Sequence, residues 1–388
     1  MASAIVDSIS IDRWRQAIRS ETFAHYQYQM GIALARTGQA EAAIASFKRA
    51  LEQRPDHAGA RLRLIGLLES ISGGATQAQM LRADGLRLYP HFQEAGTLVV
   101  LADDLNIDTA PALADRIMKQ AQVHGIPDRL RGPILLGLGQ LLTKAKQPHQ
   151  AEPALALAHQ ALPDDTGILS LLAGIQLELG RLDTLAASIA SWLCLAPRDP
   201  EALFYRARLS LLQGDYAAAD ADLDAAINAG HADIPLLRSF QIRSQLASRA
   251  PARAVALYEA MDQAARDHWI CQAYAILARL YVKPSNDLAV QADTLLSRSN
   301  HHPLAVVVKS LVLQGCGGNW RPLLSTLLKE APGAFVCTAA TVLESRAGDT
   351  AAALGHWREA LSFNDPYVRF HLSVLGPDVE NIGESAGS

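Results

Sequence analysis

The sequence predicts an all-α protein made of repeated helical hairpins, and three observations carry that expectation. Apolar residues in the segment Ala24 to His57, AHYQYQMGIALARTGQAEAAIASFKRALEQRPDH, recur at helical spacing in two stretches broken at Thr37-Gly38. Proline ends this hairpin at Pro55 and recurs at Pro90, Pro127, Pro163 and Pro197, at intervals of 35, 37, 36 and 34 residues. Its ring fixes φ and removes an N–H donor, so Pro55 cannot continue the helix before it. The chain of 388 residues is also 49% hydrophobic and only 19% charged, which is apolar enough to bury a large core.

Taken in order, residues 1–23 are expected to form an N-terminal capping helix. Ser10 precedes IDRWRQAI, which sets Ile11, Trp14 and Ile18 on one helical face. From 24 to 366 the punctuation continues through His231, Arg266, Pro303, Pro332 and Pro366. Nine intervals then span 311 residues, a mean of 34.6.

Within that array, GDYAAADADLDAAI (Gly214 to Ile227) flanks Leu223 with Ala219 and Ala226, and GDTAAALGHWREAL (Gly348 to Leu361) flanks Trp357 with Ala353 and Ala360. A small residue lets two helix backbones approach, and the large one fills the space beside them. Weaker copies run from Leu142 to Pro163 and from Leu179-Gly180 to Pro197, while 90–127 and 268–332 keep the period and lose most of these residues. Residues 367–388 form the C-terminal segment. Pro366 to Leu375 should cap the array, and the tail from Gly376 holds too little apolar material to pack.

The unit Ala24 to His57 resembles the tetratricopeptide repeat, whose 34-residue pattern reads W-x2-L-G-x2-Y, then A-x3-F, then P. Met30 and Gly31 stand at the L-G pair, Leu34 at the tyrosine, Ala43 and Phe47 at A-x3-F, and Pro55 at the closing proline, with Gln27 departing from the tryptophan. The resemblance implies a right-handed α-solenoid of about ten such hairpins with terminal capping helices. It also implies that the first helix of each unit lines a groove for peptides or protein segments. Carried over by repeat position, the groove candidates are His25, Tyr28, Ile32 and Arg36 in the first unit and Phe204, Arg208 and Leu211 in the sixth.

Arginine and tyrosine supply rigid contact area and carboxylate pairing, so these positions suit an acidic or mixed peptide. If Tyr28, Arg36, Phe204 and Arg208 are exposed, alanine in their place should shift stability by less than about 0.5 kcal/mol. Two specialised grooves of the family are not matched. A carboxylate clamp would put lysine and asparagine where Tyr28 and Ile32 stand, and an asparagine ladder would occupy positions that read Gln29, Arg63, Gly137, Leu171 and Tyr205.

Chemistry-bearing motifs are sparse. Asp220, Asp222 and Asp224 share one helix and read as a solvated acidic stripe; His301-His302 reads as a turn; and GCGGN (Gly315 to Asn319) lacks the lysine and Ser/Thr of a phosphate loop. Neither H-E-x-x-H nor G-x-G-x-x-G occurs, and no catalytic residue, metal site or cofactor is expected. A net charge of -4 without a basic run argues against nucleic acid.

Cys194, Cys271, Cys316 and Cys337 have neither zinc spacing nor the density of a disulfide framework, and read as reduced thiols of a cytoplasmic protein. The start MASAIVDSISIDRWRQ lacks an export signal, and the most apolar stretches are too short to insert into a membrane. The function these observations favour is a non-catalytic scaffold that binds protein or peptide partners. The alternative is a substrate-recruiting or regulatory subunit of a bacterial glycosyltransferase, sulfotransferase or methyltransferase system.

Overall fold

The computed structural model describes residues 21–88 and 90–379. Among them the chain is helical hairpins with no strand. The contacts divide it into two compact units, Met1–Ile168 and Leu169–Ser388. The repeat punctuation runs through this division without marking it. Residues 1–20 of the expected N-terminal cap, with Ile11, Trp14 and Ile18, lie outside the described residues, as does the end of the tail, 380–388; residues 21–23 open the first described helix.

Unit 1 holds four hairpins: α1 (residues 21–36) with α2 (Ala40–Gln53), α3 (Ala58–Ser70) with α4 (Ala75–Leu88), α5 (Phe92–Ala102) with α6 (Ala110–Ala121), and α7 (Asp128–Lys144) with α8 (Pro148–Ala161). Unit 2 holds six. They are α9 (Thr166–Glu178) with α10 (Leu182–Leu195), α11 (Pro200–Gln213) with α12 (Tyr216–Asn228), α13 (Ile234–Ala247) with α14 (Pro251–Ala260), α16 (Trp269–Val282) with α17 (Asn286–Arg298), α18 (Pro303–Gly315) with α19 (Arg321–Glu330), and α20 (Ala334–Arg346) with α21 (Thr350–Ser362). A short α15 (Gln263–Asp267) and a last helix α22 (Val368–Leu375) stand outside the pairs.

The described residues therefore hold ten hairpins, where about ten were expected. Of the ten punctuation residues, Arg266 alone departs: it lies in α15, which fills the connection from α14 to α16, while the others fall between hairpins or open the next helix.

Small-to-large contact shapes the hairpins. A Cβ built on Gly31 would lie 2.6 Å from the Phe47 ring, so only glycine lets α1 approach α2 there. Gly139 and Leu155 repeat the contact between α7 and α8, at 2.5 Å. Ala219, Leu223, Ala226, Ala353 and Ala360 are fully buried and Trp357 nearly so. Many helix starts are set by acids: the side chains of Asp199, Asp215, Asp233 and Asp349 accept backbone N–H bonds at the starts of α11, α12, α13 and α21. Gly214 precedes Asp215 at φ 79, so one dipeptide ends α11 in the left-handed region and starts α12.

The acidic stripe on α12 is not simply solvated. Asp222 is buried and accepts two bonds from Arg206 on α11, at 2.8 and 2.6 Å. Asp220 accepts from Gln245 and Asp224 from Gln241, both on α13, so the stripe ties three helices together. Burial raises the Asp220 carboxyl above its ordinary range. His301-His302 does form the expected turn, with His301 at φ 57 and the His302 side chain capping α18.

Gly31→Leu and Ala226→Leu are each expected to overpack a hairpin and lower stability by about 1–3 kcal/mol, read from urea midpoints followed by circular dichroism. Unchanged midpoints would show that these residues do not set the approach of their helices.

Candidate functional site

In unit 1 the groove candidates share α1 but not an environment. His25 and Arg36 face solvent, whereas Tyr28 and Ile32 are buried in the core. Tyr28 donates its hydroxyl proton to Asp103 Oδ2 at 2.5 Å, and Asp103 also accepts Arg63 Nη2 at 2.7 Å and Nε at 3.1 Å. Asp103 sits at the C-terminal end of α5, so this cluster joins the first helices of three hairpins. Burial and the neighbouring carboxylate raise the Tyr28 phenol well above its ordinary range and keep it a donor. Arg36 pairs with Asp104 at 2.7 Å, with both side chains more than half exposed.

In unit 2, Phe204 and Leu211 are also buried, and Arg208 is half-buried. The expectation that Tyr28 and Phe204 tolerate alanine at little cost is thus corrected. Each fills core space, where removing a large aromatic side chain costs about 3–5 kcal/mol.

What Arg208 touches defines the face. Its Nε donates to Tyr367 Oη at 2.7 Å, and its guanidinium lies 5.4–5.5 Å from the Phe204, Tyr205 and Tyr367 ring centroids. Tyr367 immediately precedes α22. The expected end cap therefore does more than cover α20: α22 packs against α20 and also against α13 and α11. Arg243 on α13, 8% exposed, stacks over Phe240 at 4.5 Å, Tyr274 of α16 at 5.3 Å and Phe370 of α22 at 4.9 Å, and its Nε has no hydrogen-bond partner. Tyr281 on α16 donates its hydroxyl to the Leu375 carbonyl. Arg346 on α20 donates to Asp378 at 3.0 and 2.5 Å. The first helices α11, α13, α16 and α20 thus each place one polar or cationic side chain on residues 367–378. Part of the tail expected to lack packing is held here: Val379 is buried and Asp378 is paired.

The energetics of this docking are nearly balanced. Val368, Phe370, Leu372, Val374 and Leu375 are buried, worth about 8–15 kcal/mol at roughly 1.5–3 kcal/mol for each side chain. Ordering the eight residues of α22 costs about 8–16 kcal/mol in backbone entropy. The net therefore rests on the polar contacts. Burial alone would disfavour the Arg346 charge, yet Asp378 and Tyr281 together outweigh it and raise the guanidinium; Asp378 in turn is held below the ordinary carboxylate range.

Sequence reasoning missed Arg243, Tyr281, Arg346, Tyr367 and Phe370. One signal was present: Arg243 follows Arg208 by 35 residues, one repeat period. Elsewhere in unit 2, a cavity of about 220 Å³ has a mixed lining of Tyr258, Gln272, Ala275, Ile276, Arg279, Gln291, Thr294 and Arg298, and the two guanidiniums already donate to Gln291 and Gln272. Among the described residues no group of three or more His, Cys, Asp or Glu stands at metal-holding distance, and no helix is long and apolar enough to cross a membrane. Burial pushes the Cys271 thiol up to about 12 and the Cys337 thiol to about 11, so neither is a ready nucleophile.

Neither a protein-family model nor a curated protein matches the sequence. Solved structures do. A tetratricopeptide repeat protein from Parabacteroides merdae is similar with a TM-score of 0.50 and 14% identity, over 63% of this chain and 98% of that one. Yeast Tom70 gives 0.45 and 11%, over 94% of this chain and 90% of that one; PilF of Pseudomonas aeruginosa gives 0.36 and 16%, over 66% and 97%. The likeness to the Parabacteroides protein shows the fold: the hairpin array is of the tetratricopeptide-repeat kind.

His371 provides a test of the docked segment. It is held between the Phe335 ring of α20, at 5.1 Å, and Tyr367, with Asp365 at 3.8 Å and the Arg243 charge of α13 nearby. Burial lowers its pKa below the ordinary 6.5, Arg243 adds to that, and Asp365 opposes it. The docked form thus resists protonation, and docking weakens as pH falls below 6.5. Asp365 and Asp378, both held below the usual carboxylate value of 3.8, lose their share only in stronger acid. By NMR titration His371 is expected below 6.5, and lower still in Asp365→Asn. Titration at or above 6.5 would show that docking of the segment does not bury the histidine.

Proposed function

We propose that this chain, with its tetratricopeptide-repeat fold, is a non-catalytic scaffold that takes a helical segment of a protein partner on the first-helix face of unit 2. One observation carries the reading: Arg208, Arg243, Tyr281 and Arg346, from four first helices, converge on one helical segment. Arginine stacked on aromatic rings and forked onto a carboxylate is the chemistry that dominates protein recognition. In unit 1, His25 and Arg36 are the exposed candidates and give α1 a subsidiary contact surface. The partner is a protein segment with aromatic and acidic side chains, and its affinity falls with salt because exposed charge contacts are screened within about 10 Å at 0.1 M. Four widely spaced cysteines, without the density of a disulfide framework, support a cytoplasmic setting.

A photo-crosslinking amino acid placed at Arg208, at Arg36, or at Arg358, exposed on the second helix α21, tests this in host cells. Protein adducts are expected from Arg208 and fewer from Arg36. Adducts from Arg358 alone would move the interaction surface to the second helices and refute the proposal.

A further inference from the structure

We propose that residues 365–379 are a displaceable occupant of the first-helix face of unit 2, holding the place of a partner helix built on the same pattern. That pattern is two aromatic residues one turn apart (Tyr367 and Phe370), an apolar end (Val374 and Leu375), and a carboxylate three residues beyond it (Asp378). The inference rests on the reading that this face binds a protein partner and adds what the partner looks like and what competes with it.

Chemical complementarity, including one opposite-charge pair, supports the assignment. Arg208 meets the Tyr367 hydroxyl, Arg243 the Phe370 face, and Arg346 the Asp378 carboxylate, so each cation of the face has one counterpart on the segment. Tyr281 holds the Leu375 main-chain carbonyl, a group that any helix ending at this point presents. Gly376 marks how close the chain comes: a Cβ there would lie 2.6 Å from Val342 of α20, so a partner needs a small residue just after its apolar end.

The segment is also built to leave. An eight-residue helix is marginal on its own and is helical here because it is docked. It joins α21 through a turn in which Asn364 has φ 52 and Phe363 is 45% exposed, so its undocking need not open the α20–α21 hairpin. A short tether presents the segment at an effective concentration in the millimolar range. A free partner of equal intrinsic affinity is held off until it exceeds that level or binds more tightly.

The probe is a fluorescein-labelled synthetic peptide of residues 364–379, titrated by anisotropy into the full chain and into the full-chain variant Tyr367→Ala/Asp378→Ala, which weakens the tethered segment and leaves the face intact. The peptide is expected to bind the variant at least tenfold more tightly than the wild type. Adding Arg243→Ala to the variant should abolish that binding. Equal affinity for wild type and variant, or none for either, overturns the proposal, as does loss of helical circular dichroism in the variant, which would make the segment part of the permanent core. A wild-type chain cut at a protease site inserted between Phe363 and Asn364 gives a second measure: excess labelled peptide should replace the native segment while unit 2 stays helical, and failure to exchange overturns the proposal. Crosslinking from Arg208 without peptide exchange would defeat this inference and leave the interaction reading standing; exchange without crosslinking would do the reverse.

Discussion

The contact of a small residue on one helix with a large residue on the next is the constraint from which the rest of the structure follows. Where Gly31 admits the Phe47 ring, or Gly139 admits Leu155, two helices lie close enough for their remaining apolar residues to be buried. A hairpin so formed covers only part of its own apolar surface, so it must stack on its neighbours, and first helices come to lie beside first helices. A face assembled this way can draw side chains from several first helices. That is how residues as distant in sequence as Arg208 and Arg346 come to serve a single segment.

Polar groups inside this packing are placed where they join helices. The Tyr28–Asp103–Arg63 cluster and the Arg206–Asp222 pair each satisfy their carboxylates with at least two hydrogen bonds, which offsets the cost of taking those carboxylates out of water. Arg243 differs. Its guanidinium is buried against three aromatic rings, its Nε goes without a hydrogen-bond partner, and one of the rings belongs to α22. A cation kept in that state is costly as pure architecture. It makes sense as part of a surface meant to be covered by an aromatic, carboxylate-bearing segment.

Much of the fold was legible because its signals are local. Proline and histidine punctuation, the Gly31/Ala43/Phe47 pattern and its copies at Leu223 and Trp357 record hairpin geometry within about 34 residues, and the hairpins appear where they point. The site was less legible. Repeat position placed Arg208 correctly on a first helix, but helical phase on a short amphipathic stretch does not separate inward from outward faces when both are apolar, so Tyr28, Ile32, Phe204 and Leu211 proved to be core. The role of residues 365–379 depends on contacts across as many as 159 positions, which no local pattern records. The Asp220, Asp222 and Asp224 stripe was misjudged for another reason: its partners, Arg206 and Gln245, lie within one repeat period but on the helices before and after, and helical phase within α12 does not show them.

At the centre of this account is a preformed face of packed first helices carrying a segment that opens independently of it. Native-state hydrogen exchange over a series of low denaturant concentrations measures that directly, because it resolves the opening free energy of each element. The account predicts that amides of 368–375 exchange through a small local opening while those of α11, α13, α16 and α20 stay protected and exchange together at higher free energy. Exchange of 368–375 at the same free energy and the same denaturant dependence as α13 and α20 would make the segment an integral part of the array and contradict it.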